Sequence, residues 1–283
     1  MPKAQFKPFP YDMAPYSRIG PALHSAWPRL HKGDCEPFPD AAALKKLVKA
    51  HAALQPAGSL EKAALALQDA WRAYHRGAFS EAMEAGIALG HLGTNVANKA
   101  CNIYATYLET NEAAKLSWFQ QSIARAEALQ EAAPDIANAW YFHAQALGRY
   151  SQGISVTKAL TQGLAGRVRH SLDRTLELEP NHAEAHIGLG AYHAEIVAKL
   201  GALVAGATYG AKSDAAVKHF ETALRLLPHS AIARIEYANG LAAQFGRKRL
   251  NDAKRLYAEA ADCVPADAME RLDVEAAKEE TSE

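Results

Sequence analysis

The 283-residue chain carries 31 Lys and Arg against 31 Asp and Glu, a balance that gives no electrostatic reason to expect nucleic acid or anionic lipid as a partner. A hydrophobic fraction of 49% with 22% charged residues excludes a disordered chain, and the length suffices for one large domain or two small ones. The three cysteines, Cys35, Cys101 and Cys263, are odd in number and far apart, which excludes a disulfide framework and a CxxC metal or redox motif and points to a reducing compartment.

Eight of the 13 prolines fall in residues 1–40, so an extended, polyproline-like arm is expected there. Prolines and charges interrupt every apolar run in this arm before it reaches the length of a secretory core, and HKGDCEP around Cys35 lacks the apolar stretch of a lipoprotein signal. A cytoplasmic location is therefore expected. The arm's aromatics, Phe6, Phe9, Tyr11 and Tyr16, suit either folding back into the groove of the repeats as a lid or self-ligand or docking on a second copy, which leaves homo-oligomerisation open. Residues 41–59 read as a short helix and linker containing a QPAG turn, and residues 60–283 as a helical domain.

Within that domain Pro134, Pro180, Pro228 and Pro265 each follow a helical pattern, at separations of 46, 48 and 37 residues. Counting back from Pro228, Leu226, Leu224, Ala223, Phe220 and Ala216 share one helical face, and the same offsets from Pro180 give Leu178, Leu176, Thr175, Leu172 and Val168. Counting forward, Trp140, His143, Ala144 and Leu147 are matched by His186, Leu189, Gly190 and His193, and then by Arg234, Tyr237, Ala238 and Leu241. The small residue in third place allows two helices to approach closely while its neighbours fill the seam. An upstream unit places Ala70, Gly77 and Ala82 at small, turn and small positions, and Val96 to Ala132 adds a pair with Tyr104 and Trp118 as core aromatics. The pattern resembles the tetratricopeptide repeat (TPR), so the expected fold class is all-α: a helical repeat superhelix of four to five units over residues 60–265, with lengthened helices or inserts.

Asn181 with Glu184, and Asp267 with Glu270, have capping-box spacing. The second box opens DAMERLDVEAAKEE, whose stripe of Met269, Leu272 and Ala276 suits a capping helix over the open end of the solenoid, followed by a short acidic tail. Two repeats are longer than the pattern requires, by about 12 and 14 residues, the excess lying in SQGISVTKALTQGLAG and KLGALVAGATYGAKSD. These apolar, glycine-bearing inserts read either as extra helical turns packed on the next repeat or as walls of a cleft. The second contains the longest weakly polar stretch, Leu200 to Ala211, whose 12 residues cannot cross roughly 30 Å of hydrocarbon, so no membrane insertion is expected.

The runs GRVRHSLDRTLELEPNHAEAHIGLGAYHAEI, YGAKSDAAVKHFETALRLLP, ARIEYANGL and PADAMERLDVEAAK, in that order over roughly residues 135–279, resemble the C-terminal half of the TatT-like family of TRAP-transporter-associated helical repeat proteins. The resemblance implies a helical body with a ligand-accommodating cleft or pore, acting as a binding protein or adaptor. The chain departs from that family in carrying a proline-rich arm where a lipoprotein signal would stand.

No Walker loop, Rossmann glycine fingerprint, nucleophile elbow or HExxH is written in the sequence, so a non-enzymatic protein without cofactor is expected. Carrying the repeat register onto the concave face gives Asn138, Tyr141, Gln145 and Arg149, then Glu184, Ile187 and Glu195, then Ile235 and Asn239. This mixed surface suits a peptide, a partner protein or a small hydrophobic ligand, with Tyr141 as platform and Arg149 or Asn138 orienting it. Arg149 with Glu195 also reads as an inter-repeat ion pair. His182, His186 and His193, spaced by 4 and 7, are the candidates for a metal-binding or enzymatic alternative; His182 precedes the helix proper, and the seam positions of His186 and His193 favour packed, hydrogen-bonded imidazoles. The basic run at Arg247, Lys248, Arg249, Lys254 and Arg255 reads as a solvated face.

Overall fold

The widely spaced prolines fall where helices end. The computed structural model describes residues 6–282, and every regular element among them is helical. Two short helices, α1 (Ala22–Leu30) and α2 (Ala41–Ala50), lead into a hairpin of α3 (Leu60–His75) and α4 (Phe79–Ala88), and then one of α5 (Thr94–Tyr107) and α6 (Glu112–Ala132). In the next hairpin α7 (Ala137–Gln152) reaches its partner α9 (Leu164–Leu178) through α8 (Val156–Thr161). In the fourth, α10 (Ala183–Leu200) reaches α12 (Ser213–Leu226) through α11 (Ala202–Tyr209). A fifth, α13 (Ala231–Phe245) with α14 (Leu250–Ala261), is followed by α15 (Ala268–Ser282). The two inserts are thus small helices of their own. The first helices of successive hairpins, α3, α5, α7, α10 and α13, pack side by side.

Close approach is written in the small residues. A Cβ on Gly190 would lie 2.7 Å from the Phe220 ring, and one on Gly240 would lie 2.8 Å from the same ring. Phe220 of α12 is therefore held between α10 and α13, and its burial contributes roughly 1.5–3 kcal/mol. Ala70, Ala82, Ala144 and Ala238 are buried at equivalent crossings, and Gly77 makes the α3–α4 turn at φ +94°. Ser59, Asn111 and Ser230 cap their helices by accepting from the N–H three residues on. At α10 the cap departs from the expected Asn181–Glu184 box. His182 is the N-cap, its Nδ1 accepting from Ala185 N at 3.0 Å, and Glu184 is freed to turn inward.

The arm also departs from expectation. Instead of running extended throughout, it forms a 3-10 turn at Ala14–Tyr16 and the nine-residue α1, which continues through Pro28. Pro28 leaves a helical carbonyl unpaired, a cost offset by burying Leu23 and Trp27. Trp27 stacks on His31, meets Trp71 edge-on, and donates from Nε1 to Glu36 O at 2.7 Å. Phe9 and Tyr16 are buried in the same cluster as α3 and α4, and Phe6 packs on Tyr104 and Trp118. The arm is thus part of the core of the first two hairpins; its first five residues, and the last residue of the acidic tail, lie outside the described residues.

The final helix does more than cover α14. Its N-terminal end returns to the first hairpin, where Asp267 meets His75 and Met269 meets Tyr74, and to α1, where Glu270 takes a two-point bond from Arg29 at 2.6 and 2.9 Å. Leu272 is buried and Met269 and Ala276 are half-buried, but the stripe also turns Asp273 inward, a charged position the expected apolar pattern did not include.

Candidate functional site

The segment after α1 runs into the concave face between α5, α7 and α10. Glu184 N donates to Gly33 O at 3.0 Å, and Asn138 Nδ2 donates to Asp34 O at 2.9 Å and to Glu36 Oε2 at 2.6 Å. Because His182 Nδ1 accepts from the backbone, its Nε2 carries the proton and donates to Asn138 Oδ1 at 2.9 Å. A chain of buried polar contacts crosses this region. His75 Nδ1 is 2.8 Å from Asp267, His75 and His31 meet at 3.1 Å, and His31 Nδ1 is 2.9 Å from Asp34. Lys99 Nζ then bridges Asp34 at 2.5 Å and Glu184 at 3.2 Å. The arm, three hairpins and the loop before α15 are joined by one run of buried polar contacts.

Electrostatics here follow from burial set against pairing. Burial alone would raise Asp34, but His31 and the Lys99 ammonium override it and hold its carboxyl well below the usual range. Burial would likewise lower Lys99, and Asp34 and Glu184 override it to keep the ammonium charged. Burial pushes His31 down to about 4 and His182 to about 3. Glu36, half-buried beside Asp34, is raised to about 7 by desolvation and by that neighbour, despite the amide donors of Asn95 and Asn138.

Beside this filled region the concave face keeps a cavity of about 240 Å³, larger than the roughly 150 Å³ engineered apolar cavity that holds benzene. Its apolar wall includes Leu164, Val168, Ile187 and Ile196, with Val156 and Leu160 from the first insert and Tyr209 from the second. The polar side carries Arg149, whose guanidinium donates to Glu236 at 2.8 Å and keeps about a third of its side-chain surface accessible. Beside it, Tyr107 donates its hydroxyl proton to the buried Asp273. Burial, opposed by that bond and reinforced by Glu270, Asp267 and Glu184, raises Asp273 to about 8. Glu184 is also raised by burial, against the pull of Lys99.

Of the residues read from the repeat register, Tyr141, Gln145, Arg149, Glu184, Ile187 and Glu195 line this cavity. Asn138 does not; it anchors the arm. On α13 the inward face is Ile232 and Glu236, while Asn239 is exposed and accepts from Tyr257 on α14, and Ile235 packs towards α14 and α15. Arg149 pairs with Glu236 and not with Glu195, which pairs with Lys199 at 3.1 Å in its own helix. The three candidate metal ligands are apart in role: His182 bonds Asn138, His186 meets His219 at 2.9 Å, and His193 lies 3.5 Å from an Arg169 nitrogen and stacks on His219. Among the described residues no group of three or more His, Cys, Asp or Glu side chains could hold a metal ion. Arg247 and Lys248 lie in an exposed 3-10 turn with Arg249, which pairs with Asp252.

The repeat register missed Lys99, Asp34, Tyr107, Glu236 and Asp273. Two of these left a trace. Lys99 stands amid small and apolar residues in a helix buried on nearly every side, which marks a buried, paired charge. Asp273 occupies the i+4 place of the stripe begun by Met269 and Leu272, where an apolar residue would be expected.

No protein-family model matches the chain, and no curated protein matches it. Among solved structures the chain is similar to a thermophilic TPR protein of Thermus thermophilus, with a TM-score of 0.54 and 15% identity over 76% of this chain and 98% of the other. At that identity the likeness is one of fold: an all-helical TPR-like repeat superhelix. No helix of the described residues is long and apolar enough to cross a membrane.

Proposed function

We propose that the protein is a non-enzymatic binding protein whose insert-walled cavity takes a small, largely apolar molecule. The observation that carries this reading is how the concave face is divided. Where a superhelix of this kind would lay out an extended peptide, residues 31–36 and α15 already occupy the inner helices with buried hydrogen bonds and ion pairs. What stays open is the pocket under α8, α9 and α11, of a size for a small molecule and too small for a folded partner. The inserts act as walls, as a TatT-like body with a ligand cleft would require. The absence of a catalytic motif and the engagement of Arg149 with Glu236 fit recognition better than turnover.

The test is titration with straight-chain alcohols from hexanol to decanol, followed by calorimetry and by the methyl NMR signals of Leu164, Val168 and Ile187. Saturable binding that shifts these methyls is expected. Ala191→Trp, which puts an indole at a cavity-lining position, should abolish it without altering the circular dichroism spectrum. No saturable binding, or equal binding to that variant, overturns the reading.

A further inference from the structure

The chemical class of the ligand follows from the charge and aromatic content of the cavity, given the binding reading above, on which it rests. Four carboxyl groups line the pocket, Glu184, Glu195, Glu236 and Asp273, against two basic side chains, Arg149 and Lys199. Both bases are engaged: Arg149 with Glu236 at 2.8 Å, and Lys199 with Glu195 at 3.1 Å. Outside the lining, Lys99 is shared between Asp34 of the arm at 2.5 Å and Glu184 at 3.2 Å.

Asp273 is the group without a counter-charge. It is 2% exposed, lines the cavity, and receives one hydroxyl from Tyr107; among the described residues no Lys, Arg or His forms an ion pair with it. A buried carboxyl with an oxygen to spare is costly to ionise, which is why it is raised to about 8, and a cation brought beside it would remove that cost. Four tyrosines, Tyr107, Tyr141, Tyr192 and Tyr209, line the same pocket, and Tyr192 already holds a cation, the Arg169 guanidinium, over its ring at 5.9 Å, the contact by which an aromatic ring attracts an ammonium group. A carboxylate or sulfate ligand would instead find both basic side chains of the pocket already engaged and would have to displace Glu236 from Arg149.

The geometry points to a cationic amphiphile as the ligand: an amine or quaternary ammonium head seated by Asp273 and the tyrosines, with an apolar body against the insert walls. The test compares four ligands of equal chain length on the full chain by calorimetry: octylammonium, octyltrimethylammonium, octanol and octanoate. One of the two cations should bind about tenfold tighter than octanol, from ion pairing and cation–π contact in a desolvated site, and octanoate should bind weakest. Asp273→Asn keeps the hydrogen-bonding shape and should erase the cation's advantage over octanol. Tyr107→Phe provides a second variant that removes only the bond to Asp273 and should leave the cation preferred.

If octanoate binds tightest, the inference falls and Arg149 becomes the head-group residue. If all four bind alike, or if the cation's advantage survives Asp273→Asn, charge selection by this site is refuted while the binding reading stands. If none binds, the binding reading itself has failed.

Discussion

Removing the Lys99 ammonium should cost the folded chain about 3–5 kcal/mol, because it strips the counter-charge from a carboxylate that has no water to turn to. The perturbation is Lys99→Met, which keeps the stem and deletes the charge. The size of the effect is decided by burial. The Lys99 side chain is 2% exposed and that of Asp34 is fully enclosed, at a separation of 2.5 Å. A pair of the same geometry on the surface would be worth only about 0–1 kcal/mol. Glu184 contributes less to the loss, since its contact with the ammonium is the longer one, at 3.2 Å, and its side chain keeps 13% of its surface accessible. Asp34 is left with His31, which burial keeps near 4 and therefore unable to supply a charge at neutral pH.

The assay is urea unfolding followed by tryptophan fluorescence, since Trp27 and Trp71 sit against His31 and His75 and report on this region directly. The midpoint should fall with little change in slope. Combining Lys99→Met with Asp34→Asn should recover at least half of the loss, because the stranded charge is gone, so the double variant is more stable than additivity allows. A single-variant loss below about 1 kcal/mol would refute the reasoning, since it would place Asp34 in contact with solvent and the arm outside the groove.

Stability should peak near pH 6.5 and fall on both sides, as thermal melts across pH 4–9 would show. Burial holds His31, His143, His193 and His219 at about 4 and His182 at about 3, so the unfolded chain takes up protons that the folded one refuses, and stability is lost as pH falls from about 6.5. Glu36 at about 7 and Asp273 at about 8 act oppositely, losing stability as pH rises from the ordinary carboxyl range to those values. Below 6.5 the five histidines outweigh the two carboxyls; above it only the carboxyls act, up to about 8. A flat profile from pH 5 to 8 would contradict these directions. Two glycines should respond with opposite sign in the same melts. Gly190→Ala puts a methyl 2.7 Å from the Phe220 ring and should destabilise by about 1–3 kcal/mol, whereas Gly148→Ala meets nothing within 4 Å and should stabilise α7 by about 0.5–1 kcal/mol. If both lower the midpoint equally, the close α10–α12 approach is not what sets their effects.

The repeats were legible because their determinants are local and periodic. Proline ends a helix within a few residues of itself, and a small residue at a crossing acts on the turn it belongs to, so Pro180, Gly190 and Pro228 announce their hairpins wherever the rest of the chain lies. The arm was not legible by the same logic. Proline's preference for extended chain is a local term of limited size, and at Pro28 it yields to the non-local burial of Leu23 and Trp27, which no window of sequence contains. The buried charges are further still from local rules: Lys99 is 65 residues from Asp34 and 85 from Glu184, and His75 is 192 from Asp267.

What sequence offers in such cases is the misfit, a charged side chain where the helical period calls for an apolar one, as at Lys99 and Asp273. At Asn239 even the periodic reading slipped. The register inherited from Pro228 presumed that α13 faces the groove as α7 does, but α13 must also meet α15 with Ile235, and that contact turns its inward face to Ile232 and Glu236. A register counted from a helix end fixes which residues share a face; which face turns inward is decided by the neighbour that completes the packing. Here that neighbour is α15, the element that also brings Asp273 into the cavity.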